Sequence, residues 1–112
     1  MTDLFVSRTC TAYPPQGPAF LVEIGVFPPV ATEQRGWQCK LSLDGVLDEE
    51  RLAFGVDQWQ ALQMGMQMVW LEITFKTAMG WRFGWFNGEN MDLAELLPHW
   101  GRQVAPTFLD RA

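Results

Sequence analysis

The chain has 112 residues, 48% of them hydrophobic, and a formal net charge of −5. That length predicts one domain spanning residues 1–112, with enough apolar content for one modest core and too much for a disordered segment. The acidic balance argues against a nucleic-acid binder, which needs Lys and Arg to replace counterions along phosphates, and against an anionic membrane surface as partner.

No apolar run approaches the ~20 residues needed to span a bilayer. The opening MTDLFVSRTC has no basic segment followed by an apolar one, so no secretory signal is expected and a cytoplasmic location is. Two cysteines, Cys10 and Cys39, are too few for a disulfide framework. Each falls in a strand-like alternation, which predicts buried reduced thiols; a single bridge between adjacent strands stays open.

In chain order, residues 4–12 read as a first strand, ended by Tyr13-Pro14-Pro15 and Gly17-Pro18. Residues 19–27 form a clearer one, with Phe20, Val22, Ile24 and Val26 on one face at period two. Pro28-Pro29 stops it, and residues 31–36 make a polar loop. Residues 37–43, WQCKLSL, alternate most cleanly: Trp37, Cys39, Leu41 and Leu43 one way, Gln38, Lys40 and Ser42 the other. One buried and one solvated face indicates an antiparallel sheet covered on one side. After the Asp44-Gly45 turn and the acidic loop Asp48-Glu49-Glu50, residues 51–54 form a short fourth strand.

A helix is predicted from Asp57 to about Ala78. Asp57 is a good N-cap, Gln60 completes a capping box, and Val56 and Ala61 supply a hydrophobic staple. Gln60, Gln63, Gln67 and Thr74 form a narrow polar stripe. Trp59, Leu62, Met66, Val69 and Ile73 form one apolar face, and Met64, Met68, Leu71 and Phe75 a second beside it. So wide an apolar band predicts cover on more than one side. The first face is expected to pack on Val22, Ile24, Trp37, Cys39 and Leu41, with the methionines as adaptable core fillers. Residues 81–86, WRFGWF, read as extended, Asn87-Gly88 as a turn, and residues 91–97 as a short helix ended by Pro98. Residues 98–112 show little periodicity. The expected fold is α+β: a four-stranded antiparallel sheet, with residues 81–86 as a possible fifth strand, and one long helix across one face, in the order β-β-β-β-α followed by short C-terminal elements.

Four segments occur in one order: Val22-Glu23-Ile24-Gly25 with Pro28; Trp37-Gln38-Cys39; Gly55-Val56-Asp57, then Gln60-Ala61-Leu62; and Gly84-Trp85-Phe86-Asn87-Gly88-Glu89. Over residues 19–95 this resembles a family of small, functionally unassigned bacterial proteins with the pattern V-x-I-G-x-P, W-x-C, G-V-D-x-x-Q-A-L and W-x-G-G-E. Gln58-Trp59 and Asn87 depart from it. The resemblance transfers no activity and no binding residue. Small acidic α+β proteins of this type are similar to bacterial immunity proteins, which bind a cognate toxin and block it.

The residues themselves supply little chemistry. His99 is the sole histidine; Asp92 and Glu95 precede it at helical spacing, but Pro98 interrupts that helix. No Cys-x-x-Cys or His-x-x-x-His spacing exists for a metal, Ser7 and Ser42 lack an elbow motif, and Gly80, Gly84 and Gly88 do not form a phosphate loop. The expectation is a protein that is not an enzyme and uses no cofactor or metal. Six tryptophans are many for so small a core, and exposed Trp is what binding hot spots use. Trp81 and Phe83 are expected in the core. The leading expectation is an immunity protein for a toxin with a basic surface. Its candidate contacts are Asp48, Glu49, Glu50, Trp85, Phe86, Glu89 and Trp100. The alternatives are an adaptor or chaperone for a secreted effector, and a small-molecule-binding domain or enzyme with a pocket between helix and sheet, lined by Trp81, Trp85 and His99.

Overall fold

A computed structural model describes residues 4–47, 49–85, 87–93 and 96. The elements are β1 (Val6–Tyr13), β2 (Phe20–Val26), β3 (Val30–Ala31), β4 (Trp37–Leu43), β5 (Leu52–Gly55), α1 (Gln58–Ala78) and β6 (Arg82–Gly84). The fold is α+β, one antiparallel sheet carrying one long helix on a single face. Strand β2 pairs with β4 and β1, and β6 closes the far side on β1. Strands β2 and β3 follow one another along one edge of β4, and β5 occupies the other.

Six strands are present, more than the four or five expected. Two short segments make the difference. Arg82–Gly84 pairs with Thr11–Tyr13. Val30–Ala31 re-enters the sheet on the far side of the proline pair, against Trp37 and Gln38. Phe27 bridges the break, donating its N–H to the Lys40 carbonyl at 2.9 Å. Prolines therefore interrupt the ladder without ending the pairing direction, and period-two reading cannot detect a strand of two residues.

Alternation along the strands builds the core. Cys10 and Ala12, Val22, Ile24 and Val26, Cys39, Leu41 and Leu43, and Ala53 are all buried beneath the helix. Cys10 pairs with Val22, and Ile24 with Leu43. The helix starts as its capping box requires: Asp57 Oδ1 accepts from the Gln60 N–H at 2.8 Å, and the Gln60 side chain accepts from the Val56 N–H at 2.7 Å.

The buried face of α1 is narrower than the sequence indicates. Only Ala61, Gly65, Val69 and Ile73 are buried, a single i, i+4 stripe. Trp59 and Met66, expected in the core, are 73% and 38% exposed. Met64, Leu71 and Phe75 are exposed as well, and of the second apolar face only Met68 packs partly against the core. The physical reason is the smallness of Ala61 and Gly65. They let the helix backbone approach the sheet closely, and a Cβ on Gly65 would stand 2.7 Å from Cys39 Sγ. At 100° per residue, Trp59 points about 160° away from Ala61 and cannot reach the sheet. Of the short helix expected at 91–97, residues 94, 95 and 97 lie outside the described residues, and Met91 and Asp92 at its start are not helical, Met91 donating its N–H to the Phe83 carbonyl instead. Residues 98–112 lie wholly outside the described residues.

Candidate functional site

The tight seam between α1 and the β4–β5 side leaves the upper part of β1 and β2 less covered. There the structure opens a cleft of about 160 Å³ between helix and sheet. Ile24 and Val26 on β2 and Val69 on α1 are its buried apolar walls. Val6 and Met66, both part-exposed, form its rim, and Leu96 lines it from the C-terminal side. Val6 faces the cleft because it pairs with Val26, and Arg8 with Ile24, so period two aims both at the helix side. Gly25 allows the close strand approach here: a Cβ on it would lie 2.3 Å from the Val6 carbonyl oxygen.

Arg8 is the cation in this wall. Its guanidinium lies 5.0 Å from the centre of the Trp85 ring, within cation–π range. Trp85 follows β6, and β6 pairs with β1, which brings the ring beside Arg8. Chemically the site is an apolar slot with the Arg8 guanidinium, engaged on the Trp85 ring, in its wall. A cavity of this size lined by aliphatic side chains accommodates a benzene-sized group, so one aromatic or branched aliphatic side chain fits.

The expected binding residues separate into different regions. Glu49 and Glu50 are exposed, and each faces a cation: Glu50 lies 3.4 Å from Lys40 Nζ, and Glu49 3.4 Å from the Arg51 guanidinium. Both stand beside β4. Trp85 and Glu89 belong to the turn after β6, at the other edge of the sheet. In that turn the Trp85 N–H donates to the Glu89 carbonyl at 2.8 Å, and the Glu89 N–H to Asn87 Oδ1 at 3.0 Å. Glu89 is exposed and Trp85 half-buried. Asp48, Phe86 and Trp100 lie outside the described residues, as does His99.

Trp81 and Phe83 pack into the core as expected. Phe83 is buried, and the Trp81 ring stacks on it at 5.9 Å and meets Phe20 edge-on at 6.3 Å. The cleft between helix and sheet is lined by Ile24, Val26, Met66 and Val69 and by neither Trp81 nor Trp85, so it is not the pocket that the small-molecule alternative described. The sequence signal for it was the Val6-Arg8 and Val22-Ile24-Val26 alternation next to a helix with glycine at position 65. Among the described residues, no group of three or more His, Cys, Asp or Glu side chains could hold a metal.

Both cysteines are free and buried. Strand β2 lies between β1, which carries Cys10, and β4, which carries Cys39. Two strand spacings are about 10 Å, beyond disulfide reach; the bridge left open by the sequence does not form. Burial pushes the Cys10 thiol up from its ordinary value, and the Arg8 charge partly opposes this. Burial alone raises Cys39, whose Sγ donates to the Phe27 carbonyl at 3.3 Å.

A family model described as Domain of unknown function (DUF6968) matches residues 6–94, and the chain belongs to that family. No curated protein and no solved structure matches it. Among the described residues no helix is long and apolar enough to cross a membrane.

Proposed function

For this member of the family we propose a protein-binding module whose partner inserts an apolar side chain into the cleft between α1 and the β1–β2 pair. The observation that carries the reading is the cleft itself: about 160 Å³, walled by buried aliphatic groups and rimmed by the part-exposed Val6 and Met66. Burying one large apolar side chain there contributes roughly 1.5–3 kcal/mol, the scale of an interface hot spot. Trp59, one i, i+7 step before Met66 and on the same side of the helix, extends the contact beyond the rim. The partner is a bacterial toxin and the activity is its neutralisation; the small acidic chain and its resemblance to immunity proteins support this. Glu49, Glu50 and Glu89 then act at a distance, raising the association rate with a basic toxin, an effect that salt weakens.

The test co-expresses the toxin-like product of an adjacent gene with the wild-type chain or with Val6→Trp. Position 6 is at the exposed rim, so the larger ring blocks the slot without entering the core. Wild-type protection of growth and co-purification, both lost in a folded Val6→Trp, support the reading; protection unchanged by the block removes the cleft from it.

A second reading rests on Arg8 in the apolar wall. The same slot suits a small aromatic or aliphatic carboxylate, its anion toward the guanidinium. Titration with benzoate and with benzene, followed by amide shifts of Val6, Arg8 and Val69, separates the two readings. Benzoate bound well ahead of benzene, and lost in Arg8→Met, favours the small molecule.

A further inference from the structure

We infer that the free edge of β5, together with the flank of α1 above it, is the interface of a homodimer. This surface lies on the opposite side of α1 from the partner-binding cleft and is independent of it.

The edge is open by hydrogen-bond parity. Strand β5 pairs with β4 alone among the described residues. The Arg51 carbonyl accepts from the Leu41 N–H at 3.1 Å. In an antiparallel ladder inward bonding alternates, so Arg51, Ala53 and Gly55 bond toward β4, and Leu52 and Phe54 turn their N–H and C=O groups outward. Beyond them the Val56 N–H is already held by the Gln60 side chain. The unpaired stretch is therefore short and bounded at its C-terminal end. It carries no proline, and no charged side chain lies within Leu52–Gly55, although charge and proline are the usual protections of a free edge.

Exposed apolar side chains stand on both faces of this edge, and the charges beside it are paired, Lys40 with Glu50 and Arg51 with Glu49. Phe54 is 60% exposed on the side of the sheet away from the helix. On the helix side stand Met64, Leu71 and Phe75, all exposed, on the flank of α1 turned away from the cleft. Glu72, on the same side of the helix as this flank, lies 3.9 Å from Arg51 at the start of β5, which fixes the flank over that edge. From Gln58 to Ala78 the only charged residues are Glu72 and Lys76. Glu72 is mostly covered and faces Arg51, and Lys76 lies over the Trp81 ring. A chain of net charge −5 thus presents a helix whose two charged residues are both engaged within the fold, the depletion that marks the centre of an interface.

A second copy is the occupant this surface fits. Two negatively charged chains repel one another, and they can meet only where neither presents unbalanced charge; this face meets that condition. The register is self-complementary. With a two-fold axis at Ala53, Leu52 pairs with Phe54 of the partner subunit and Phe54 with Leu52, satisfying every outward N–H and C=O. The same operation places Leu52 against the Phe54 ring twice on one face of the joined sheet and brings the two helix flanks together on the other. Phe54 and Phe75 each offer on the order of 100 Å². With Leu71, Met64 and the strand backbone, the patch comes to a few hundred Å² per partner, the scale of a weak, concentration-dependent dimer.

Sedimentation and light scattering of the full chain across a concentration series test this. The expected mass is twice 12.8 kDa at tens of micromolar and above, falling toward the monomer on dilution. Phe54→Pro removes one outward N–H, which an edge strand tolerates, and abolishes the dimer. Phe54→Lys keeps that N–H, places like charges across the two-fold axis and weakens association at least tenfold. It stands in if the proline variant fails to fold. Val6→Trp, on the cleft, leaves the dimer intact, so failure here and failure of the partner-binding reading are distinguishable. Amide exchange at Leu52 and Phe54 that slows with protein concentration supports the edge pairing. A monomer at every concentration, or a dimer unaffected by Phe54→Lys, overturns it.

Discussion

Gly65→Ala tests how closely the helix sits on the sheet. The added methyl would stand 2.7 Å from Cys39 Sγ and 3.2 Å from both Cys39 Cβ and Val26 Cγ1. Neither neighbour is a flexible chain end: Cys39 and Val26 are buried in central strands, and the Cys39 thiol is held on the Phe27 carbonyl. The helix must lift, and overpacking of this kind costs about 1–3 kcal/mol. Against that, exchanging glycine for alanine inside a helix gains about 1 kcal/mol in backbone entropy. The net expectation is a loss of about 0–2 kcal/mol, up to several degrees in Tm for a domain of this size. Urea and thermal denaturation of the full chain measure it. Adding Cys39→Ala, which removes Sγ, should recover at least about 0.5 kcal/mol as a favourable coupling. If Gly65→Ala instead stabilises by the full helix gain, the close seam is absent and the account of the narrow buried stripe fails.

Removing the N-cap by Asp57→Ala should cost about 1 kcal/mol, and an unchanged urea midpoint would show that Asp57 Oδ1 does not hold the Gln60 N–H. Ile73→Ala, at a fully buried site, should cost about 2–5 kcal/mol, whereas Met66→Ala on the cleft rim should cost less than about 1 kcal/mol; equal losses in denaturation would contradict the placement of the stripe. Burial raises both thiols above the ordinary value of 9.0. The unfolded chain therefore releases these protons first, and the contribution of the neutral thiols is whole below pH 9 and is lost as pH rises past it. Stability that is flat between pH 9 and 10.5 in the wild type, and equally flat in a Cys10→Ala, Cys39→Ala double variant, would refute that contribution.

Where the signal was period two, the sequence was a good guide. WQCKLSL alternates over seven residues and forms a strand over those same residues, Trp37–Leu43. The capping box at Asp57 and Gln60 was legible because it uses local contacts only. The helix faces were not. Hydrophobic spacing marks Trp59, Met66, Leu71 and Phe75 as core, but depth is decided by how near the backbone can come, and Ala61 and Gly65 make that choice. A small residue carries almost no weight in a hydrophobic pattern and much weight in packing. Read for size as well as polarity, the Ala61-Gly65-Val69-Ile73 row would have identified the seam. It would also have left the larger apolar residues over as surface.

The cleft was legible only in outline. The sequence left a pocket between helix and sheet open as one alternative, and its position follows from the course of α1, which starts beside Gly55 and ends near Trp81. That course is set by long-range packing. The acidic loop drew attention as a run of charge; in the fold, Lys40 and Arg51 stand against Glu50 and Glu49, and no sequence spacing pairs residues across strands before the register is known.

The most direct measurement of the binding account follows the methionine methyl resonances of the full chain during titration with the adjacent-gene product. The rim residue Met66 should shift strongly and broaden with partner, and lose that response in Val6→Trp, while Met79, at the far end of α1, stays in place. A partner that binds tightly while leaving Met66 unmoved would contradict the assignment of the cleft as the binding site.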